Sequence, residues 1–242
     1  MCELLVAAFE VPRPFQKLAP IIVRLEQLGL AGYGWGVAWL DEQVGEPGAV
    51  RAVRGLHRFA DQGRGSSDLA TRSARRFLVH LRRPSRLSTI QIADTQPFLD
   101  LERGAWCHNG FLARAEEARH RFHGRLHGQA DSEVGWQYFL DRLSGGEEPQ
   151  PALRAVDDAF GGRVNLAHLG VDGELSVYAR NDTNRMWRYR LDGATLASTS
   201  LHSDDTSLFD LVVPRATDRE RLELGAALCI GEPSCTVAGA LG

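Results

Sequence analysis

The first apolar run, Leu4-Leu5-Val6-Ala7-Ala8-Phe9, constrains this chain more than any other stretch. It is closed by Glu10, Pro12 and Pro14, is too short for a helix, and reads as a buried strand that holds whatever precedes it in a core groove. What precedes it is Cys2, directly after Met1. Trimming of methionine before a small residue makes Cys2 the N-terminus, so that one residue carries both a thiol and a free α-amine. A thiol titrates near pKa 8.5 and an α-amine at about 7.7–8.0, so near neutrality the amine can act as the thiol's base. Nucleophile and base then share a residue, as in N-terminal threonine nucleophiles. The plainer alternative is a small hydrophobic cysteine that begins a strand.

The bulk numbers leave room for such a site and exclude other classes. A chain of 242 residues can bury one large core without a second domain, and we expect a single domain over 1–242. A net charge of −3 gives no global attraction to nucleic acid or anionic membranes, and no apolar run is long enough to span a bilayer. The first strand lacks a basic leader, so we expect no signal peptide. Four cysteines, Cys2, Cys107, Cys229 and Cys235, do not make a disulfide scaffold; free thiols and a cytoplasmic location are expected.

Phe15, Leu18, Ile22 and Leu25 keep helical spacing, with Pro14 at the entry and Gly29 as a stop. Residues 32–40 read as a strand thinned by Gly32, Gly34 and Gly36, which implies close approach of a backbone or ligand. A return strand runs from Ala49 to Leu56, and 57–70 reads as a mobile surface loop. Phe77 to Leu81 is a short strand inside the basic window Arg72–Arg86, which suits one anionic group on a small ligand better than RNA. Residues 94–98 read as a turn, and Gly104 to Leu112 as a strand whose Asn109-Gly110 is a hairpin-turn signal. His120, His123 and His127 can share a helix face, but no further ligand completes a metal set, so that face is expected to be solvated.

Helices are expected from Asp131 to Gly145 and from Pro151 to Phe160, followed by two hairpins turning at Asp172-Gly173 and Asp192-Gly193. From about Leu222 we expect a short helix and a loosely packed tail. Strands grouped at both ends with helices between argue for α+β, with two packed antiparallel sheets flanked by helices.

Taken in order, Met1-Cys2, Gly34-Trp35-Gly36, His80-Leu81-Arg82 with Ser85, His108-Asn109-Gly110 and Asp131-Ser132-Glu133 resemble a class II glutamine amidotransferase over roughly residues 1–210. The opening Met1 to Leu5 looks closest to stand-alone bacterial members. The resemblance implies the four-layer αββα sandwich of N-terminal-nucleophile hydrolases. It implies that Cys2 attacks the γ-amide of glutamine, forms a γ-glutamyl thioester, and releases ammonia to a separate acceptor enzyme or synthetase subunit, with no metal or cofactor. By the same resemblance the Asn109 side chain and the Gly110 N–H are the oxyanion donors. Arg82 and Ser85 hold the substrate's α-carboxylate and Asp131 its α-ammonium. Two other readings compete. One is a γ-glutamyl amidohydrolase of the ergothioneine-pathway kind, acting on a larger γ-glutamyl compound; the other is a non-catalytic partner that keeps the fold for binding. The chain departs from the family pattern at Tyr33, Arg83, Pro84, Asp94 and Gln96, which bears on the shape of the carboxylate pocket.

Overall fold

The computed structural model describes residues 2–41, 49–203 and 205–231. In chain order the strands are β1 (Glu3–Pro14), β2 (Trp35–Asp41), β3 (Ala49–Gly55), β4 (Ser73–Leu81), β5 (Phe98–Asp100) and β6 (Gly104–Leu112). They continue with β7 (Gly162–Leu169), β8 (Leu175–Ala179), β9 (Met186–Leu191), β10 (Ala194–Thr199), β11 (Thr217–Arg221) and β12 (Ala226–Cys229). The helices are α1 (Ala19–Leu28), α2 (Ser67–Ala70), α3 (Ala115–Ala118), α4 (Asp131–Ser144), α5 (Pro149–Phe160) and α6 (Thr206–Val212). One antiparallel sheet has the order β11-β9-β10-β1-β4-β2-β3, and a second has the order β12-β8-β7-β6-β5.

The apolar run of β1 is uninterrupted because both of its faces are covered. Leu5, Ala7 and Phe9 pack outward against Ile22 and Leu25 of α1 and Phe209 and Val212 of α6. Leu4, Val6 and Ala8 point the other way and meet Ala105, Cys107, Ala167 and Leu169 of the second sheet. Beyond that sheet, Trp106, Val164, Leu166 and Tyr178 pack against Val134, Trp136 and Phe139 of α4 and Leu153 and Val156 of α5. The result is helix, sheet, sheet, helix: the expected α+β sandwich. Each large apolar side chain sealed between layers contributes about 1.5–3 kcal/mol, so the three clusters outweigh any surface interaction.

Local chemistry explains most element ends. Gly29 caps α1, and Gly145 and Gly161 close α4 and α5. Asp192 and Gly193 both take positive φ, 49° and 79°, as a two-residue turn between β9 and β10 requires. Gly36 has the close approach expected of it: a Cβ there would collide with the Gln96 carbonyl and the Pro97 ring.

Four expectations are corrected. Residues 57–70 are not a loose loop: they form a helical turn over Phe59–Gly63 and then α2. The Phe59 side chain is fully buried, and the buried Glu26 carboxylate accepts from the Phe59 and Ala60 N–H groups, which ties the segment to α1. Asn109-Gly110 is not a hairpin turn but lies inside β6, opposite Asn165 and Val164 of β7. His120, His123 and His127 share no helix, because the helical turn after α3 ends at Phe122; all three are exposed. Residues 223–231 are not helical: β12 pairs with β8, and Leu222 and Ile230 are buried in the layer between the sheets. Cys235 and the rest of the tail lie outside the described residues, so the pairing of Cys229 with Cys235 does too.

Candidate active site

The layer between the sheets is apolar along most of its length and turns polar at one end. Cys2, at the head of β1, marks that end. Pairing of β1 with β4 brings Glu3 opposite Leu81, so Arg82 to Ser85 leave β4 beside Cys2. The Arg83 N–H lies 3.4 Å from Cys2 Sγ, and the Arg83 carbonyl lies 3.8 Å from it. Burial pushes the Cys2 thiol pKa up, while the Arg83 N–H and the Arg82 guanidinium act against that shift by favouring the thiolate.

Asn109 is fully buried and its amide has a determined orientation. Its Oδ1 accepts from Asn165 Nδ2 at 2.9 Å and from Asn181 Nδ2 at 3.2 Å. Two donors on the oxygen force the NH₂ end toward Cys2, where Nδ2 donates to the Cys2 carbonyl. One N–H of that amide remains for another acceptor. Gly110 follows with φ 130°, and a Cβ there would run into the Arg163 carbonyl of the neighbouring strand, so only glycine fits.

Cys2 opens onto a cavity of about 490 Å³ that Arg82, Ser85, Gly110 and Asp131 also line. The Arg82 guanidinium is buried, and burial lowers its pKa. Its Nη1 reaches Gln91 O and Thr95 Oγ1 at 3.4 Å each, which leaves the Nε and Nη2 hydrogens for a ligand. Ser85 is exposed on the rim. Asp131 opens α4; its Oδ2 accepts from the Leu112 N–H at 2.7 Å and its Oδ1 from the Ser132 N–H at 2.9 Å. That leaves lone-pair capacity for an ammonium group. All six residues singled out in the sequence therefore converge, five on the cavity wall and Asn109 directly behind Cys2.

The departures also acquire positions. Tyr33 exposes its side chain and lends its backbone, with its N–H on the Arg82 carbonyl and Gly34 O on the Arg82 N–H. Side-chain identity at Tyr33 is therefore free while the arginine stays anchored. Gln96 brackets the His108 backbone, accepting from its N–H and donating to its carbonyl at 3.3 Å, one residue before Asn109. Asp94 Oδ1 accepts from the Gln129 and Ala130 N–H groups at 2.7 Å each and so shapes the loop that leads into Asp131. Both line the cavity.

Sequence reading missed the residues behind the site. Glu3 is fully buried, accepts from Thr199 Oγ1 and from Asn184 Nδ2 at 3.3 Å, and burial raises its pKa to about 7. His202 Nε2 stands 3.5 Å from Glu3 Oε1, but burial lowers that imidazole's pKa to about 4, so it is neutral at pH 7. Asn165 was detectable as a lone amide within the apolar run Val164–Leu169. Asn181 and Asn184 sit in a segment whose ordinary reading is turn chemistry, and nothing in the sequence separates them from that.

A larger cavity of about 700 Å³, lined by Phe98, Trp136 and Leu140 with Arg54 and Arg125, has no cysteine on its wall. Its Arg125 is committed to Gln137 and Asp141, and its Arg54 to the Thr95 carbonyl. Among the described residues no cluster of three or more His, Cys, Asp or Glu could hold a metal, and no helix is long and apolar enough to cross a membrane.

No protein-family model matches this sequence, and no curated protein does. Solved structures do match. Glutamine phosphoribosylpyrophosphate amidotransferase from B. subtilis, complexed with ADP and GMP, superposes with a TM-score of 0.71 at 18% identity, over 96% of this chain and 47% of that one. The fold is that of the class II glutamine amidotransferases. A glutamine aminotransferase class-II domain protein from Silicibacter pomeroyi gives a TM-score of 0.61 at 16% identity and covers 95% of both chains. An allosteric regulatory enzyme of purine biosynthesis gives 0.68 at 18% identity. The chain spans about half the length (47%) of the first and third of these neighbours.

Proposed function

We propose that the protein is an N-terminal cysteine amidohydrolase of the class II glutamine amidotransferase type, hydrolysing the γ-amide of glutamine or of a larger γ-glutamyl compound. The observation that carries this reading is the Cys2 thiol on the wall of a cavity it shares with Arg82 and Asp131, backed by an Asn109 amide locked toward it. After removal of Met1, the α-amine of Cys2 takes the thiol proton and Sγ adds to the γ-carbonyl carbon. The free N–H of Asn109 and the Gly110 N–H receive the oxyanion, and donors fixed before reaction need no reorganisation when charge develops. The amine then returns its proton to the leaving nitrogen, the C–N bond breaks, and water hydrolyses the thioester to glutamate. Arg82, assisted by Ser85, holds the α-carboxylate and Asp131 the α-ammonium, so the γ-carbon is set against Sγ.

With glutamine the product is ammonia, delivered to a separate acceptor enzyme. We place the reaction in the cytoplasm, where such a thiol stays reduced. Cys107 is the rival nucleophile, but it is fully buried in the layer between the sheets and burial holds its thiol pKa well above normal. The test is labelling with 6-diazo-5-oxonorleucine followed by peptide mapping. Cys2 should carry the label, alone of the four cysteines, on a chain whose intact mass lacks Met1. Label on Cys107, or an active chain that retains Met1, would sink the mechanism.

A further inference from the structure

Three arginines of the segment after β4, Arg82, Arg83 and Arg86, line the Cys2 cavity. Arg82 is buried, whereas Arg83 and Arg86 are exposed, and neither of these two guanidinium groups makes a hydrogen bond or ion pair with a described residue. The carboxylates around them are committed. Asp94 accepts from Gln91 Nε2 at 2.8 Å as well as from the Gln129 and Ala130 N–H groups. Glu116 lies 3.6 Å from Arg119, and Asp131 caps the Leu112 and Ser132 N–H groups.

A glutamyl group brings one carboxylate and one ammonium, which Arg82 and Asp131 take up. Two positive charges then remain on the wall with no partner among the described residues. Arg83 also starts beside the reaction, since its own N–H touches Cys2 Sγ. We infer that Arg83 and Arg86 form a leaving-group subsite, and that the natural substrate is a γ-glutamyl amide of an amine bearing its own carboxylate. This rests on the proposed role of Cys2 and names the class of substrate it acts on. Ammonia from free glutamine would leave both arginines unused. The reaction consumes one water. Sγ bonds to the γ-carbon, the C–N bond breaks as the amine nitrogen takes the proton, and water then breaks the C–S bond to give glutamate and the free thiol.

The experiment compares kcat/KM for γ-glutamylglycine and γ-glutamylethylamide, which are similar in size and differ by the carboxylate. This constant reports acylation, where the leaving group is still attached. The wild type should favour γ-glutamylglycine by roughly tenfold, the combined scale of two partly exposed ion pairs, and added salt should shrink that preference. Arg83→Gln combined with Arg86→Gln should lower kcat/KM on γ-glutamylglycine roughly tenfold more than on γ-glutamylethylamide. Lys17→Gln removes an exposed charge that does not line the cavity and should leave the ratio unmoved. Equal efficiency on both amides, or a ratio indifferent to the double substitution, overturns the subsite while leaving Cys2 hydrolysis standing. If the wild type turns over neither amide and 6-diazo-5-oxonorleucine does not label Cys2, the hydrolase reading falls and the subsite with it.

Discussion

The layer between the two sheets has two unlike ends. At one end Ala8, Leu40, Leu169, Leu175 and Ile230 close it with hydrocarbon. At the other the same strands present Cys2, Arg82, Asn109 and Asn165, and a cavity opens. Alternation along β6 and β7 is the same throughout: Ala105, Cys107 and Asn109 face inward on one strand, and Leu169, Ala167 and Asn165 on the other. One register therefore builds core and site together, and the end at which a side chain falls decides its role. Two thiols make the point. Burial raises the pKa of both Cys2 and Cys107, but only Cys2 has an N–H, a guanidinium and an opening beside it.

The sharpest way to break this contrast is to remove each thiol in turn. Cys2→Ser should abolish γ-glutamyl hydrolysis, a loss on the order of 10⁴-fold or more, while a γ-glutamyl ligand still binds because the charge clamps are intact. Cys107→Ser should cost about 1–3 kcal/mol of stability by burying a hydroxyl among apolar neighbours, and should leave turnover within a few-fold of wild type. Chemical denaturation beside steady-state kinetics reads both. If the two substitutions exchange effects, the roles of the two ends are reversed.

Asn109→Ala is expected to be next in size. It removes a donor to the developing oxyanion and should lower kcat about 10²–10³-fold with little change in substrate affinity. Asn165→Ala touches no substrate but takes away one of the two donors that orient the Asn109 amide. A smaller fall in kcat at unchanged KM is expected there; no change in kcat would mean that Asn181 alone fixes the amide.

Fold was more legible than site. The unbroken apolar run of β1, the two turns containing Asp-Gly and the stripes of α4 and α5 each follow from period and turn chemistry, which are local properties. Asn109-Gly110 was misread locally because its dipeptide is a turn signal, and only the pairing of β6 with Asn165 and Val164 holds it extended. Residues 57–70 were misread for a related reason. Their Gly, Ser and Asp content is that of a loop, and the Glu26 carboxylate that organises them is more than thirty residues away. The six site residues were assembled by resemblance to a family. Glu3, Asn181 and Asn184 were invisible because a buried polar network depends on partners that converge from β1, β10 and the loop after β8.

Glu3 offers a test through pH. Its pKa in the folded protein is about 7, against 4.5 for an unburied carboxyl. Between those values the folded state holds a proton that the unfolded state has lost, so this group's contribution to stability falls as pH rises from about 4.5 to 7. A gap of that size corresponds to on the order of 3 kcal/mol. His202, with its folded pKa lowered to about 4, acts in the opposite sense: the unfolded state binds the extra proton, and its contribution rises with pH up to about 6.5. In wild type the two slopes oppose each other up to about 6.5, so Glu3→Gln should leave the His202 rise uncompensated: stability should climb with pH between about 5 and 6.5, and the variant should gain on wild type toward the alkaline side. A wild-type and a variant profile of the same shape would show that Glu3 does not titrate in that range.

The clamps should cost less than the nucleophile or the oxyanion donor, and they sharpen the comparison because both lie at the polar end yet neither touches the reacting bond. Arg82 keeps Nε and Nη2 hydrogens free, and Asp131 keeps lone-pair capacity beyond the Leu112 and Ser132 N–H groups. Each charge-assisted contact to substrate should be worth about 1.5–3 kcal/mol, so Arg82→Ala and Asp131→Ala should each lower kcat/KM by roughly 10- to 150-fold. The two differ in what else they do. Asp131 also caps the Leu112 N–H and opens α4, so its loss should lower the melting temperature as well, and Asp131→Asn, which still offers an oxygen there, should recover stability before it recovers substrate affinity. Arg82 is anchored through its backbone to Tyr33 and Gly34, so truncating its side chain should spare the fold. Loss of binding in Arg82→Ala without loss of stability, beside loss of both in Asp131→Ala, is the expected pattern. Unchanged kinetics on every γ-glutamyl compound in both variants would move the substrate's charged groups to other residues of the cavity.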